Sequence, residues 1–225
     1  MSTRTLFIHI PKSSGTSIAA SVPVLVPREQ YVESNRVATA RMDPRGYHLI
    51  TNPQNMIKHT PYNYLDKSFL NSIDRAFAVV RNPWSRIVSL YNHGEVVSNR
   101  TAGTFYYQPK ISFDEFLNRM NTFRMTPSYY WNHPYDQWGI QLDWIVKQNK
   151  VKSDILRYEY ITSDLSKYFN ADVDLKRENI GVYKDHYTEY YSDEQRKMVA
   201  DWFRLDIEHF GFTFESGATR NYWTQ

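Results

Sequence analysis

Short apolar runs alternate along the chain with segments that carry apolar residues at helical spacing. The run Thr5–Ile10 (TLFIHI) is rich in β-branched and aromatic residues and is followed by Pro11, which predicts a buried strand. After a polar loop, Thr16–Ala20 can begin a helix. The N-terminal segment therefore predicts a strand, a loop and a helix in that order.

The same unit occurs a second time, nearer the middle of the chain. The run Ala76–Val80 (AFAVV) predicts a second buried strand that ends at Arg81. Asn82 can accept hydrogen bonds from the first turn of a following helix, and Pro83 suits the first helical position because it has no backbone N–H to leave unpaired. We expect this second helix to continue through Leu90.

Two capping boxes predict the starts of further helices, because a serine and a later glutamate or glutamine can exchange hydrogen bonds there. Ser112 pairs in this way with Glu115, and Ser192 with Gln195. A long apolar helix face follows the second box, and Gly211 is expected to end it. The residues of that face are Met198, Val199, Trp202, Phe203, Ile207 and Phe210.

The remaining elements complete an alternating order of strands and helices. The segment Gly139–Gln148 has helical spacing of its apolar residues, and Ile155–Ile161 predicts a third strand. Alternation of this kind indicates an α/β fold with a central, mostly parallel sheet flanked by helices, whose strand ends form a ligand crevice. Because no repeat or long linker divides the sequence, we predict a single domain over residues 1–225.

The composition narrows the functional classes. With 41% hydrophobic and 23% charged residues, the 225-residue chain is globular rather than disordered, collagen-like or coiled-coil. A net charge of +3 gives no general attraction for nucleic acid or an anionic membrane. The apolar runs are too short to span a bilayer and no secretory pattern is present, so we expect a soluble, cytoplasmic protein. The lack of cysteine excludes disulfides, thiolate nucleophiles and cysteine-ligated zinc.

The loop after the first predicted strand has the composition of an anion-binding site. Within His9–Ser17 (HIPKSSGTS), N–H groups at the helix start can bind an anionic oxygen, Gly15 allows close backbone approach and Lys12 adds charge. The hydroxyl donors are Ser13, Thr16 and Ser17. The Walker pattern of nucleotide kinases is absent, because Lys12 precedes Gly15. The alternative is a purely structural connection between strand and helix.

The loop after the second predicted strand offers a second anion-binding site. In Ala76–Tyr91, Arg81 stands where the strand ends, and Ser85 and Ser89 are one helical turn apart on the next helix. Arg81 can bind a phosphate through two N–H groups, and Ser89 can donate to the same phosphate. Two such sites along neighbouring strand ends suit a bisphosphorylated nucleotide.

These two segments resemble the motifs of carbohydrate sulfotransferases that use 3′-phosphoadenosine 5′-phosphosulfate (PAPS). The family's 5′-phosphosulfate loop is similar to HIPK(S/T)(G/S)GTS, and is matched here by Lys12, Ser13, Ser14, Gly15, Thr16 and Ser17. Its 3′-phosphate motif is similar to RNPxxRxxSxY, and is matched by Arg81, Asn82, Pro83, Arg86, Ser89 and Tyr91. Residues Ile155–Leu165 and Tyr190–Phe214 also resemble the family's late strand and terminal helix. Ser14 departs from the family, which commonly has glycine there.

The resemblance implies a P-loop-like three-layer fold and transfer of a sulfuryl group from PAPS to an acceptor hydroxyl, with 3′-phosphoadenosine 5′-phosphate (PAP) as the product. It places loop residues 12–17, Arg81 and Ser89 around the nucleotide, with Lys12 neutralising charge on the leaving phosphate. It also suggests that Lys184 and His186 close over the nucleotide, and the alternative is a solvated polar turn. A sulfuryl group carries less charge than a phosphoryl group, so cationic side chains and N–H donors suffice and we expect no metal.

The general base that deprotonates the acceptor is less well defined by the sequence. His59 lies in a segment that resembles the stretch where glycan 2-O-sulfotransferases carry a histidine base, and a neutral imidazole can accept a proton at neutral pH. His48 is the reserve candidate, and other family branches use a glutamate, which points to Glu29 or Glu33. His9 is expected to pack in the core. The remaining histidines lack the spacing of a zinc site and are His133, His186 and His209.

An aromatic-rich stretch at about residues 100–140 separates the second predicted helix from the third predicted strand. Its aromatic residues are Phe105–Tyr107, Tyr129, Tyr130, Trp131, Tyr135 and Trp138. Because flat rings can stack on sugar faces, we expect an acceptor-binding insertion and a glycan acceptor. The alternative for each single ring is core packing.

Other functions stay open at the level of the sequence. The acceptor can instead be a protein tyrosine or a small phenol, and the chain can be a non-catalytic module that binds PAP or another nucleotide. A nucleotide kinase is a third alternative, disfavoured by the order of Lys12 and Gly15. Eukaryotic glycan sulfotransferases usually carry a membrane anchor, so its absence here favours a bacterial or viral enzyme unless the chain is an excised piece.

Overall fold

The computed structural model describes residues 3–26, 41–42, 48–49, 59–100, 111–125, 139–148, 150–176 and 186–220. The strands are β1 (Thr5–Ile8), β2 (Arg41–Met42), β3 (His48–Leu49), β4 (Arg75–Val80), β5 (Val146–Lys147), β6 (Lys150–Val151) and β7 (Asp154–Arg157). The helices are α1 (Gly15–Ser21), α2 (Lys67–Asn71), α3 (Pro83–Arg100), α4 (Phe113–Met125), α5 (Ile161–Phe169), α6 (Asp193–Trp202) and α7 (Arg204–Phe210). Short 3-10 turns are formed by Tyr62–Tyr64, Gln141–Trp144, Tyr158–Tyr160 and Tyr187–Tyr190.

A parallel three-stranded sheet with the order β1-β4-β7 lies at the centre of the fold. Phe77 on β4 pairs with Phe7 on one side and with Asp154 on the other. At the outer side of β1, Leu25 forms a single parallel bridge with Leu6. Because parallel strands end at the same edge of a sheet, the segments after β1, β4 and β7 leave from one edge.

Apolar side chains cover both faces of this sheet, because successive residues of a strand point to opposite faces. One face buries Leu6, Ile8, Ala78, Val80 and Ile155 against Phe69, Trp144 and Phe210. The other face buries Phe7, Phe77, Val79 and Leu156 against Ile18, Leu165 and Tyr168. The architecture is therefore a three-layer α/β fold, and the predicted fold class is confirmed.

Both predicted strand, loop and helix units are present. The first strand ends at Ile8, two residues earlier than predicted, and the second strand ends where it was expected. The side-chain oxygen of Asn82 accepts hydrogen bonds from the backbone N–H groups of Trp84 at 3.0 Å and Ser85 at 3.3 Å. Asn82 is thus the cap of α3, as its position before a proline predicts.

The two predicted capping serines also begin helices. Ser112 accepts a hydrogen bond from the N–H three residues later, at 3.1 Å, and Ser192 forms a complete capping box with Gln195. The single long helix predicted after Ser192 is wrong in one respect, because it is divided into α6 and α7 at Phe203. That residue has φ −113° and ψ 26°, outside the helical region, and its side chain is fully buried. Gly211, at φ 70°, ends α7 as predicted.

Two predictions are wrong for residues 139–161, which include the third strand predicted from the sequence. The helix expected over Gly139–Gln148 is only the 3-10 turn Gln141–Trp144, after which the chain enters the β5–β6 hairpin. The carboxylate of Asp206 accepts the first N–H groups of that turn, so one turn is enough to place its apolar residues in the core. The strand expected over Ile155–Ile161 already ends at Arg157 and passes through a 3-10 turn into α5.

None of the helices in the described part of the chain is long and apolar enough to cross a membrane.

Candidate functional site

The two predicted anion-binding loops leave neighbouring strands at the same edge of the sheet. β1 and β4 pair directly, with Ile8 opposite Ala78, and residues 9–14 and 81–82 follow their carboxyl ends. β7 ends beside β4, so Tyr158 and Glu159 join the same edge. Ligands of open α/β sheets bind at this edge, which makes it the candidate site.

The first loop contains two residues in the left-handed backbone region. Lys12 has φ 68° and Ser14 has φ 59°. This conformation costs a residue other than glycine about 1–2 kcal/mol. Ser14 stands where the sulfotransferase motif commonly has glycine, and it adopts a backbone conformation that glycine adopts freely. Its carbonyl accepts the N–H of Ile18 at the start of α1. The serine changes the energy of this turn rather than its conformation.

Gly15 has a structural role in addition to the predicted one. It was expected to let the backbone approach an anion closely. A Cβ atom built on Gly15 would lie 1.7 Å from Nε2 of His9, so the absent side chain makes room for the His9 ring. His9 is only 5% exposed and stacks on Phe7 with 5.4 Å between ring centroids. His9 is therefore buried, as predicted, but it lies beyond the end of β1, against the first turn of α1.

Gly15→Ala is expected to lower the free energy of unfolding by about 1–3 kcal/mol, because the new methyl group overlaps the buried His9 ring. Chemical denaturation measures this difference. Ser14→Ala is the matched control and should change stability by less than about 0.5 kcal/mol, since the Ser14 side chain makes no capping hydrogen bond. Unchanged stability of Gly15→Ala would show that His9 does not pack there.

Arg81 connects the two loops. Its Nη1 donates to the carbonyl of Lys12 at 3.1 Å, and its Nε donates to Oγ of Ser85 at 3.0 Å. The guanidinium also lies over the ring of Tyr158, 4.1 Å from the centroid. The whole residue is only 6% exposed. Three neighbours thus hold the guanidinium at the junction of both loops.

The second arginine of the motif, Arg86, is buried and is hydrogen-bonded to the backbone of the first loop. Its Nε donates to the carbonyl of Pro11 at 3.1 Å and its Nη1 to the carbonyl of Gly139 at 2.8 Å. Burial lowers the pKa of Arg86 to about 10, which the charge of Asp206 opposes and the charge of Arg81 reinforces. The sequence identified Arg86 as part of the motif without predicting its role. In the structure, Arg86 fixes the backbone of the first loop relative to the segment that begins at Gly139.

Asn82 ties the second loop to the C-terminal segment. Besides capping α3, its side-chain N–H groups donate to the carbonyls of Thr213 at 2.8 Å and Ser216 at 2.9 Å. Its backbone N–H donates to the carboxylate of Glu159 at 2.8 Å. Burial raises the pKa of Glu159, although this hydrogen bond and the charge of Arg81 act in the opposite direction. The second loop is therefore fixed at its backbone and at both ends of the Asn82 amide.

The hydroxyl residues after Arg81 are placed differently from one another. Ser85, rather than Ser89, is bonded to the Arg81 guanidinium, and Ser89 lies buried one helical turn further along α3. The hydroxyl of Tyr91, the last residue of the motif, donates to the carbonyl of Ile111 at 2.8 Å. Tyr91 therefore fixes the start of the segment before α4, while Ser89 stays a predicted nucleotide contact.

His59, the predicted general base, lies against the start of the first loop. Its Nδ1 is 2.9 Å from the carbonyl oxygen of His9, and the two imidazole centroids are 4.1 Å apart. A carbonyl oxygen can only accept, so Nδ1 carries the proton of this bond. In the neutral ring the lone pair is then on Nε2, the form that can take a proton from an acceptor hydroxyl.

Several predicted residues lie outside the part of the chain that the structure describes. They are Glu29, Glu33, His133, Lys184 and the aromatic residues between 101 and 138, and the His48 side chain is likewise not described. His186 is described, and its Nδ1 is 2.8 Å from Oγ1 of Thr188 while its ring packs on Tyr187. His186 is thus engaged within its own turn.

One buried donor in the first loop has no partner. Oγ of Ser13 makes no hydrogen bond to any described residue, although Ser13 is only 1% exposed. Buried hydroxyls are normally hydrogen-bonded, so an orphan donor in this loop fits an anionic ligand. Ser17 is buried in the first turn of α1, whereas Thr16 is exposed. Among the described residues, no group of three or more His, Cys, Asp or Glu can hold a metal ion.

Sequence analysis missed two buried residues of the site. Gln141 and Asp206 are both 0% exposed, and Asp206 accepts hydrogen bonds from the backbone of Gln141 and Leu142. Burial raises the pKa of Asp206 to about 6, against these hydrogen bonds and the charge of Arg86. An acidic residue on the apolar face of the predicted terminal helix was the available hint, since charged residues are rarely buried without a partner.

The sequence matches one family model, described as "Sulfotransferase family", over residues 2–213. The matched range includes both loops, His59, Gln141 and Asp206. No curated protein gives a significant match. No solved structure does so either.

Proposed function

The chain belongs to the sulfotransferase family, and we propose that it transfers a sulfuryl group from PAPS to a carbohydrate hydroxyl. Sulfuryl transfer to an acceptor that carries a hydroxyl follows from family membership. The donor and the class of acceptor are the proposal. The observation that carries it is the position of Arg81, whose guanidinium reaches the carbonyl of Lys12 in the first loop and the hydroxyl of Ser85 after the second.

This arrangement supports a donor with two separated acidic groups. Two loops that meet through one guanidinium lie close enough for a single nucleotide to contact both. The orphan hydroxyl of Ser13 supports an anion at the first loop, and Arg81 supports one at the second. When bound, PAPS would supply the sulfuryl group together with the phosphate that leaves with PAP.

The proposed contacts to the donor divide between the loops. The first loop would hold the 5′-phosphosulfate end through Lys12, Ser13, Ser14, Gly15, Thr16 and Ser17. Arg81 and Ser89 would hold the 3′-phosphate, because a guanidinium can present two parallel N–H groups to a phosphate. Lys184 completes the proposed set from outside the described residues.

The proposed roles in the transfer fall to Lys12 and His59. The Lys12 ammonium would neutralise negative charge that develops on the leaving phosphate oxygen. The His59 Nε2 would take the proton from the acceptor hydroxyl, because Nδ1 donates to the His9 carbonyl. That hydrogen bond also fixes the orientation of the ring. No metal is needed in this proposal, since donors and cations from the chain meet the charge requirements.

A carbohydrate acceptor is proposed from the aromatic content of the chain. The sequence holds 18 Tyr and 6 Trp, with a dense cluster at residues 129–138. Within the described residues the rings pack largely against each other, as in the cluster of Tyr91, Phe113 and Phe116. The rings at 129–138 are the ones assigned to sugar faces. Sulfur-labelled PAPS with a panel of glycan, tyrosyl and phenolic acceptors tests this assignment.

PAP is expected to raise the melting temperature far more than ATP with magnesium does. At a concentration 100-fold above its Kd, a ligand stabilises the folded state by about 2.7 kcal/mol. For a chain of this size that corresponds to a shift of about 5–10 °C. Arg81→Ala should abolish most of the PAP shift, because the guanidinium is the proposed 3′-phosphate ligand.

The control for this measurement is Arg75→Ala. Arg75 begins the same strand that Arg81 follows, and it contacts Thr5 and Tyr168 at the opposite end of the sheet. This variant should melt at a lower temperature but keep the full PAP shift. Equal shifts from PAP and from ATP with magnesium would contradict the proposed donor and favour a nucleotide kinase.

A further inference from the structure

The backbone of Arg81 is held by the side chain of Gln141, which no motif identifies. Oε1 of Gln141 accepts the backbone N–H of Arg81 at 2.9 Å, and Nε2 donates to the backbone carbonyl of Arg81 at 2.9 Å. β4 ends at Val80, so these bonds occur just beyond the last strand residue. The Gln141 amide thus continues the hydrogen bonding that a neighbouring strand would provide.

Asp206 fixes which way this amide points. Its Oδ2 accepts the backbone N–H of Gln141 at 2.8 Å and lies 3.3 Å from Nε2 of the same residue. Its Oδ1 accepts the N–H of Leu142 at 2.9 Å. An ionised carboxylate only accepts hydrogen bonds, so the NH2 end of the Gln141 amide faces Asp206 and the Arg81 carbonyl, while its oxygen faces the Arg81 N–H. The orientation is therefore determined from both sides.

The same carboxylate is linked to the first loop by charge. Arg86 is buried, is attracted by Asp206 and donates to the carbonyls of Pro11 and Gly139. Gly139 stands two residues before Gln141 in the chain. One buried polar network therefore reaches the backbone of both loops from a single residue of α7.

We infer that Gln141 is a positioning residue for the nucleotide site, which sets the direction in which the Arg81 guanidinium leaves the sheet. The inference rests on the proposed function, because it needs Arg81 to bind the 3′-phosphate of the donor. The guanidinium makes its own hydrogen bonds to Lys12 and Ser85 only if the backbone beneath it is in place. Small misplacements of a binding group have large effects on the ligand that it contacts.

The test compares the affinities of two probes, PAP and adenosine 5′-monophosphate, by calorimetry at a temperature below the melting transition. Gln141→Met preserves the length of the side chain and removes both bonds to Arg81. We expect the Kd of PAP to rise roughly tenfold, as the loss of one or two buried hydrogen bonds implies. The Kd of adenosine 5′-monophosphate should stay unchanged, because that probe has no 3′-phosphate for Arg81 to bind.

Arg75→Met is the matched control, since it removes hydrogen bonds of similar number at the opposite end of β4. It should lower the melting temperature and leave both affinities unchanged. A Gln141→Met protein that binds PAP as tightly as the wild type, or that loses affinity for both probes equally, overturns the inference. A wild-type protein that does not bind PAP overturns the proposed function and, with it, this inference.

Gln141→Glu provides a second variant should the methionine variant fail to fold. A protonated glutamic acid can accept from the Arg81 N–H and donate one hydrogen bond, to the Arg81 carbonyl or to Asp206, so it imitates the amide in part, whereas the ionised form has no donor. The charged groups around it are Asp206, Arg81 and Arg86. Relative to the wild type at the same pH, its PAP affinity should fall as the pH rises, because the ionised carboxylate cannot donate to the Arg81 carbonyl and is repelled by Asp206. A constant ratio across the pH range contradicts the inference.

Discussion

His59→Ala is expected to lower kcat by about 10²–10⁴-fold, the range that a positioned general base contributes. The physical reason is the hydrogen bond from Nδ1 to the His9 carbonyl, which leaves the lone pair of the neutral ring on Nε2. Initial rates with sulfur-labelled PAPS and the acceptor found in the panel measure the effect. The affinity for PAP should change little, because the proposed nucleotide contacts lie in the two loops.

His59→Asn separates the anchoring of this residue from its chemistry. The asparagine amide can still donate to the His9 carbonyl, but it has no basic lone pair, so this variant should be as slow as the alanine variant. His209→Ala, which changes a histidine at the end of α7, should keep the wild-type kcat.

A full rate for His59→Ala with the true acceptor would show that another group is the base. The candidates would then be His48, Glu29 and Glu33, each of which can be replaced singly. The assignment of the donor site would be unaffected, because it rests on Arg81 and the first loop rather than on His59.

Lys12→Ala is expected to lower kcat by about 10²–10³-fold, the effect of removing one preorganised charge from a leaving group. The Kd of PAP should rise much less, because the phosphate keeps its contacts to the remaining loop residues and Arg81. The decisive measurement is therefore the ratio of the two effects, from steady-state rates and from calorimetry with PAP. If kcat and the affinity for PAP fell by the same factor, Lys12 would contribute only to nucleotide binding and not to the transfer step.

Lys12→Gly removes the same charge and, unlike alanine, suits the left-handed backbone at this position. The backbone of Lys12 has φ 68°, a conformation in which glycine is unstrained. The glycine variant should therefore melt at a higher temperature than Lys12→Ala and show the same low kcat. Lys197→Ala, an exposed lysine on α6, should affect neither quantity. A low melting temperature for Lys12→Gly would mean that the side chain itself supports the loop.

Local signals were sufficient for much of this fold. Asn82 caps α3 because its side-chain oxygen can accept hydrogen bonds from N–H groups two and three residues later in the chain. The predicted end of β4 at Val80 is confirmed, whereas the strand starts at Arg75, one residue earlier than predicted. The prediction of a helix over Gly139–Gln148 was wrong because the same apolar spacing also fits a single turn followed by a hairpin. The turn is stabilised by Asp206, which is distant in the sequence and gives no local signal.

In the candidate site, too, some features were predictable from the local sequence and others depend on distant residues. Adjacent pairing of β1 and β4 brings the Lys12 loop beside Arg81, in line with the alternation of strands and helices. Gly15 was predicted to allow close approach of an anion, and the structure adds a second reason for glycine that the sequence does not contain. The ring that fills the space is His9, which was expected only to be buried.

The sequence by itself determined the two strand, loop and helix units, the residues of both loops and the family to which the chain belongs. These depend on patterns within a few residues of each other or on the order of short motifs. The tertiary structure alone decided that Gln141 and Asp206 stand behind Arg81, because their hydrogen bonds join residues 60 and 65 positions apart. A lone buried amide or carboxylate has no local pattern, and its partners become visible only when the chain has folded around it.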